Sequence, residues 1–267
     1  MVIAGAMRLF AEEPDRYLPD PALPARRLLD ARFVFFLGPT PFVNLVSSVR
    51  VDARDVAALV EEIRACAGPE RRRVAWVVGP SCEPGDLRER LEALGFVPAD
   101  RPPFESVTTA MALTEPPAVG GTDAVFVRPV ESFEDYVLSD EITSAGFGVD
   151  ERERAAFAGM APERFAAYRE RDDYLRFLAF VDETPVASAA ANACELGLFL
   201  GGAATLRAAR GQGAYRALVR ARWDEAVKRG TPALVILAGA MSRPILERVG
   251  FERVCDLTVL FDPQTGD

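Results

Sequence analysis

Histidine is missing from all 267 residues, and with it go His-based triads, imidazole general bases and His metal ligands. Any proton acceptor must then be a carboxylate, a tyrosine, a backbone group or water. Cysteine is scarce. Cys66, Cys82, Cys194 and Cys255 are scattered without a CxxC spacing, which excludes a zinc knuckle or a disulfide framework and leaves buried reduced thiols as the expectation. Lysine occurs only as Lys228, so the 31 basic residues are nearly all arginine, and they are outnumbered by 40 acidic ones. The resulting net charge of -9 argues against a general nucleic-acid binder and is compatible with cationic acceptors. No stretch reaches the run of about 18 apolar residues that a membrane span needs, and the first ten residues lack a basic start and a signal-length core. A cytoplasmic protein with neither metal nor membrane partner is expected, either monomeric or homodimeric.

What the chain does have is apolar content, 49% hydrophobic, enough for two compact domains. The segment 114–123, TEPPAVGGTD, combines paired prolines and paired glycines without periodicity and reads as the linker between them. Before it, apolar patterns predict strands at 33–37 and 43–51, a helix at 54–66, a strand at 73–78, a helix at 84–94 and a strand at 106–113. After it come a strand at 124–129, helices at 132–145 and 150–171, the latter broken near Pro162, and strands at 175–181 and 185–194 around the turn Asp182-Glu183-Thr184. A glycine-rich strand at 197–206, a helix at 214–229, a strand at 233–238, a short helix at 243–249 and a strand at 254–261 complete the chain. The last five repeat the order strand, helix, strand, helix, strand of the first half. Both final helices also end alike, in Leu94-Gly95-Phe96 and Val249-Gly250-Phe251, where glycine supplies a left-handed cap. The first copy has little chain before residue 33 for the helices and hairpin of the second, so it is expected to be truncated.

The strongest local signal is Arg210-Gly211-Gln212-Gly213-Ala214-Tyr215, between the strand ending near Leu206 and the helix that follows. Such a strand, glycine turn and helix N-terminus form an anion site, because unpaired N–H groups and the helix dipole point at the same place. The glycines let the backbone approach a pyrophosphate without a Cβ in the way. At the matching point the first half reads Val51-Asp52-Ala53-Arg54-Asp55, with no glycine and two carboxylates.

This stretch resembles the coenzyme A motif of the GNAT superfamily of N-acetyltransferases, Q/R-x-x-G-x-G/A, with Arg210 first and Gly213 fourth; Tyr215 stands where Gly or Ala is usual. The resemblance continues through AVKRG at 226–230, LVIL at 234–237 and PILERVGF at 244–251. It implies an α/β (α+β) tandem: two GNAT-like domains, each a mixed, mainly antiparallel sheet flanked by helices. A degenerate, truncated copy would occupy 1–116 and a working one 123–267. It further implies that Ala204, Thr205 and Leu206 hold the pantetheine arm, with Arg210, Gly211, Gln212, Gly213, Ala214 and Tyr215 around the pyrophosphate. The function so implied is direct transfer of an acetyl group from acetyl-CoA to the amine of a small-molecule or peptide acceptor, in a ternary complex. A non-catalytic acyl-CoA-binding regulator is the alternative.

The family's usual acid, a tyrosine four residues before the glycine of the GF ending, is replaced here by Leu246. Ser242, one turn earlier, is either a donor to the leaving sulfur or a helix N-cap. Glu195, just ahead of the glycine-rich strand, is either a base acting through water or a solvated turn residue. Gly146-Phe147-Gly148 reads as a mobile acceptor loop or as a buried aromatic anchor.

Overall fold

A computed structural model of the chain describes residues 3, 5–21, 25–38, 43–68, 73–100, 104–118 and 124–265. In the first half it contains α1 (Gly5–Glu12), β1 (Arg26–Leu29), β2 (Val34–Leu37), β3 (Asn44–Ser47), α2 (Val56–Ala67), β4 (Val74–Val78), α3 (Leu87–Ala93), β5 (Val97–Pro98) and β6 (Val107–Leu113). The second half contains β7 (Val125–Pro129), α4 (Phe133–Phe147), α5 (Glu151–Gly159), α6 (Ala161–Arg169), β8 (Tyr174–Val181), β9 (Thr184–Cys194), β10 (Gly197–Thr205), α7 (Ala214–Lys228), β11 (Leu234–Ala238), α8 (Arg243–Val249) and β12 (Glu252–Phe261). No helix among the described residues is long and apolar enough to cross a membrane. Residues 119–123 of the expected linker lie outside the described residues.

Local chemistry explains most of these elements. β4 and β11 read as unbroken apolar runs because each is paired on both edges and covered on both faces. α2 buries Val56, Leu59, Val60, Ile63 and Ala67, one stripe at helical spacing. The β8–β9 turn puts Asp182 and Glu183 at positive φ, as a two-residue hairpin demands. The predicted break near Pro162 falls at Met160 instead. Pro162 sits in the first turn of α6, where its missing N–H would have had no helical partner.

The strands do not form two sheets. They form one, mainly antiparallel, in the order β1-β2-β3-β4-β12-β6-β11-β10-β9-β8-β7, with β5 pairing β12. Among the described strands only the pairs β3–β4 and β10–β11 are parallel, bridged by α2 in one half and by α7 in the other. Each half sends its last strand to the other half's pair. β12 lies on β4, from Thr258↔Val78 to Phe261↔Ala75, and β6 lies on β11, from Leu234↔Leu113 to Ala238↔Thr109. The exchanged strands pair antiparallel with each other. Reading inward from β1 or from β8 therefore meets the same sequence: a hairpin, a parallel pair, a strand from the other half.

The expectation that the first half has no room for a hairpin is corrected by β1 and β2, which pair from Arg26↔Leu37 to Leu29↔Val34. β1 was illegible because it is a largely exposed edge strand with no apolar alternation. Counterparts of β7 and α4–α6 are absent among the described residues, and α1 packs instead against β6, β11 and β12.

On one face, α2 and α3 cover a core that includes Phe35, Trp76 and Leu91, and α7 and α8 cover another that includes Met111, Leu200 and Leu246. Burying a side chain such as Phe35, fully enclosed here, contributes about 1.5–3 kcal/mol. On the other face Phe10 and Ala11 of α1 meet Val77, Ala110, Val235 and Val259. Polar ties join the halves as well. Arg64 grips buried Asp262 with two bonds of 2.7 and 2.9 Å, and Arg73 donates to buried Glu153 at 2.5 Å.

Candidate functional site

The parallel pair β10–β11 holds register only from Leu198↔Leu234 to Leu200↔Ile236. Beyond that point both strands continue, to Thr205 and Ala238, without pairing each other. On its other edge β10 carries a bulge between Gly201 and Ala204 as it follows β9, with Gly202 at φ +56°. One extra residue on β10 bends the strand and aims its freed edge into the gap. The Ala190 carbonyl at this bulge accepts from the Arg222 guanidinium at 3.3 Å. Arg222 is fully buried on α7, and desolvation lowers its pKa to about 10 against the opposing effect of Tyr215, so it remains a cation at neutral pH.

The turn after β10 ends in Gly213 at φ +92°, the N-cap of α7, with Gly211 at φ +84°. Both angles lie where only glycine sits without strain. Ala217 donates to the Gly213 carbonyl, so the N–H groups of Ala214, Tyr215 and Arg216 precede the first helical bond. No acidic residue occupies the first turn. Arg210 turns back, its Nε donating to the Thr205 carbonyl at 3.5 Å.

Gap and turn open into one cleft of about 1120 Å³. Ala204, Thr205, Arg210, Gly211, Gly213, Ala214 and Tyr215, expected from the sequence to hold coenzyme A, line it together. Leu206 and Gln212 flank these residues without lining the cleft; Gln212 is exposed, its side chain donating to the Ala208 carbonyl at 3.5 Å. Burial pushes the Tyr215 phenol above its usual range, which keeps its O–H neutral. The Thr205 hydroxyl is buried with no hydrogen-bond partner among the described residues, and so is that of Thr108, across the cleft on β6. An orphaned buried hydroxyl costs about 1–3 kcal/mol, which a ligand group would recover.

The catalytic candidates separate. Ser242 lines the cleft, where its Oγ donates to the Gly239 carbonyl at 3.3 Å and caps no helical N–H. Glu195 stands exposed in the turn between β9 and β10, outside the lining. Six residues of extended chain, roughly 20 Å, separate it from the gap that begins at Gly201. Leu246 is fully buried in the core under α8, while Ile245 and Val249 face the cleft. Gly146 and Phe147 form the last turn of α4, capped by Gly148 at φ +67°, so this stretch is helix and cap rather than a loop. Phe147 lines the cleft, and a side chain at Gly146 would collide with Ala204 on β10.

Sequence reasoning missed Glu105. It precedes β6, and the strand exchange carries it to the end of β11, where its Oε2 accepts from Ala240 N–H at 2.8 Å. Nothing local marks it, because its place depends on which half's strand lies beside β11. Among the described residues lining the cleft it is the sole carboxylate; the other charged ones are Arg210, Arg216 and Arg248.

No protein-family model matches the chain, and no curated protein is similar to it in sequence. Solved structures are similar in fold. A GCN5-related N-acetyltransferase from Kribbella flavida superposes with a TM-score of 0.65 at 21% identity, covering 90% of each chain. One from Sphaerobacter thermophilus gives 0.59 at 18% identity, over 90% of this chain and 84% of its own. A tandem GNAT protein from the clavulanic acid biosynthesis pathway gives 0.60 at 14% identity, over 97% of this chain and 88% of its own. The chain has the GNAT fold across both halves.

Proposed function

We propose that this protein is an acetyl-CoA-dependent N-acetyltransferase built from two repeat units, 1–116 and 123–267, with coenzyme A held by the second. One observation carries the reading. The free edge of β10 and the uncapped N-terminus of α7 face the same cleft, one suited to pair with amides of a pantetheine arm as an added strand, the other to cradle a pyrophosphate.

Ala204 and Thr205, with Leu206 beside them, would hold the arm, and Arg210, Gly211, Gly213, Ala214 and Tyr215, with Gln212 beside them, the phosphates, while Gly201 and Gly202 leave space beside the strand. The bound thioester supplies the acyl group: the amine nitrogen forms a C–N bond to its carbonyl carbon, the C–S bond breaks, and the sulfur leaves with the electron pair while the amine loses a proton to water. A thiol of this kind has a pKa of about 8.5, so it can leave as thiolate without an acid at the Leu246 position. Ser242, beside the end of β11, is the cleft hydroxyl placed to order a water or donate a proton there. The acceptor is a small-molecule or peptide amine, met in a ternary complex in the cytoplasm.

Buried Leu246 keeps a second reading in play, a regulator that binds acyl-CoA without turning it over. Calorimetry with CoA and release of free thiol from acetyl-CoA across an amine panel test both. Binding with turnover supports the enzyme, binding without turnover supports the regulator, and no binding removes both.

A further inference from the structure

The cleft does not end at the gap. It passes through the sheet and continues along the face that carries α1, over Leu237, Phe104 and Thr108, to Val259, Val77 and Leu45. Val259 and Val77 stand directly opposite each other on β12 and β4, and Leu45 lies on the next strand, β3. These positions form an apolar trough built almost wholly from the first half and the exchanged strands. Where it meets the gap stands Glu105, a carboxylate with no arginine partner among the described residues: its polar contact there is the Ala240 N–H. The exposed Glu105 side chain reaches over Gly239, its carboxylate in the space that a Cβ there would take.

We propose that Glu105 recognises the ammonium group of a small primary amine whose apolar body lies in the trough of Leu45, Val77, Phe104 and Val259. This rests on the acetyltransferase reading and names its acceptor class. An ammonium gripped by Glu105 would sit at the end of β11 beside the freed edge of β10, with its body pointing away from α7, and would give one proton to water there before the neutral nitrogen attacks the thioester. The lone hydroxyl of Thr108 offers one hydrogen bond to a polar atom on that body. The degenerate half would then be the acceptor half.

The probe is 4-phenylbutylamine, with 4-phenylbutanol as its uncharged counterpart. Glu105→Gln keeps an oxygen to accept from Ala240 and nearly the same volume, so it removes the charge alone. Calorimetry of the amine on the full-length protein, without CoA, reads Glu105 independently of the acyl donor. The proposal expects the amine to bind, the alcohol to bind at least about tenfold more weakly, and Glu105→Gln to erase that difference. CoA affinity should be the same in both proteins. With acetyl-CoA, Glu105→Gln should raise KM for the amine at least about tenfold. An unbound amine, or equal binding of amine and alcohol to the native protein, overturns the proposal, as does a Glu105→Gln protein that keeps the preference. Failure of CoA to bind while the amine preference survives would instead overturn the acetyltransferase reading.

Discussion

The two halves share a frame and differ in what has been put into it. Aligning the buried stripes of α2 and α7 matches Leu59 with Leu218, Val60 with Val219, Ile63 with Arg222 and Ala67 with Ala226. The same alignment sets Asp52 and Arg54 against Gly211 and Gly213. In the second half the parallel strands part after Leu200, and beyond it nothing among the described residues pairs with the edge of β10 that faces β11. In the first half the chain beyond β3 is already taken: Glu83 N–H donates to the Val49 carbonyl at 2.8 Å, and Val51 N–H to the Glu83 carbonyl at 3.1 Å. An open cleft and a closed core thus arise on one scaffold through a glycine turn, a bulge and one buried arginine.

Gly213→Asp should break that difference most. An aspartate at φ +92° is strained, and its charge would face the N–H groups proposed to cradle a pyrophosphate. CoA affinity by calorimetry is expected to fall about 100-fold or more, equivalent to about 2.7 kcal/mol. An unchanged affinity would remove the glycine turn from the site.

Arg222→Ile writes the first half's residue into the second. The buried cation disappears, and the Ala190 carbonyl loses its donor at the bulge. These effects oppose each other, so stability in a denaturant titration should shift by no more than about 2 kcal/mol. With the bulge less firmly held, CoA affinity should fall about tenfold, the equivalent of one lost hydrogen bond. Loss of folding would show that Arg222 supports the core more than the edge.

The catalytic candidates give a smaller contrast. Ser242→Ala should lower kcat by up to about tenfold with CoA affinity intact, whereas Glu195→Gln, in its solvated turn, should leave kcat within about twofold. A large loss in Glu195→Gln would mean that the β9–β10 turn reaches the acyl group in the working complex.

How much of this was legible follows from the range of the signals. The glycine turn and the helix after it were readable because both lie within a few residues and obey local rules of φ and capping. The repeat was readable because apolar stripes survive in each copy. Strand exchange was not, since β6 and β12 carry the same apolar pattern whichever parallel pair they join, and Glu105 stayed hidden with it. Glu195 looked plausible because sequence order places it next to the glycine-rich strand, although nine residues of strand separate its turn from the glycine turn after β10.

The smallest expected effect is none at all, and it tests the comparison most sharply. Asp52→Gly, Arg54→Gly and Asp55→Ala together would give the first half the glycines and the acid-free helix entry of the second. Placed in a Gly213→Asp protein, they leave only the first half able to bind CoA. If the turn alone made the site, affinity would return. The structure argues that it will not, because a pantetheine arm would have to displace Glu83 from Val49 and Val51 before it could pair with that edge. Each of those backbone bonds contributes about 1 kcal/mol net, and breaking them also strips residues 82–84 from the core around Cys82. α2 is entered through a 3₁₀ turn at Ala53–Asp55, in which Asp55 N–H already donates to Asp52, so fewer donors are free there than at Gly213. Calorimetry should therefore register no CoA binding in the combined variant. Any measurable binding would mean that the occupied edge yields to ligand, and that the halves differ by their turns alone.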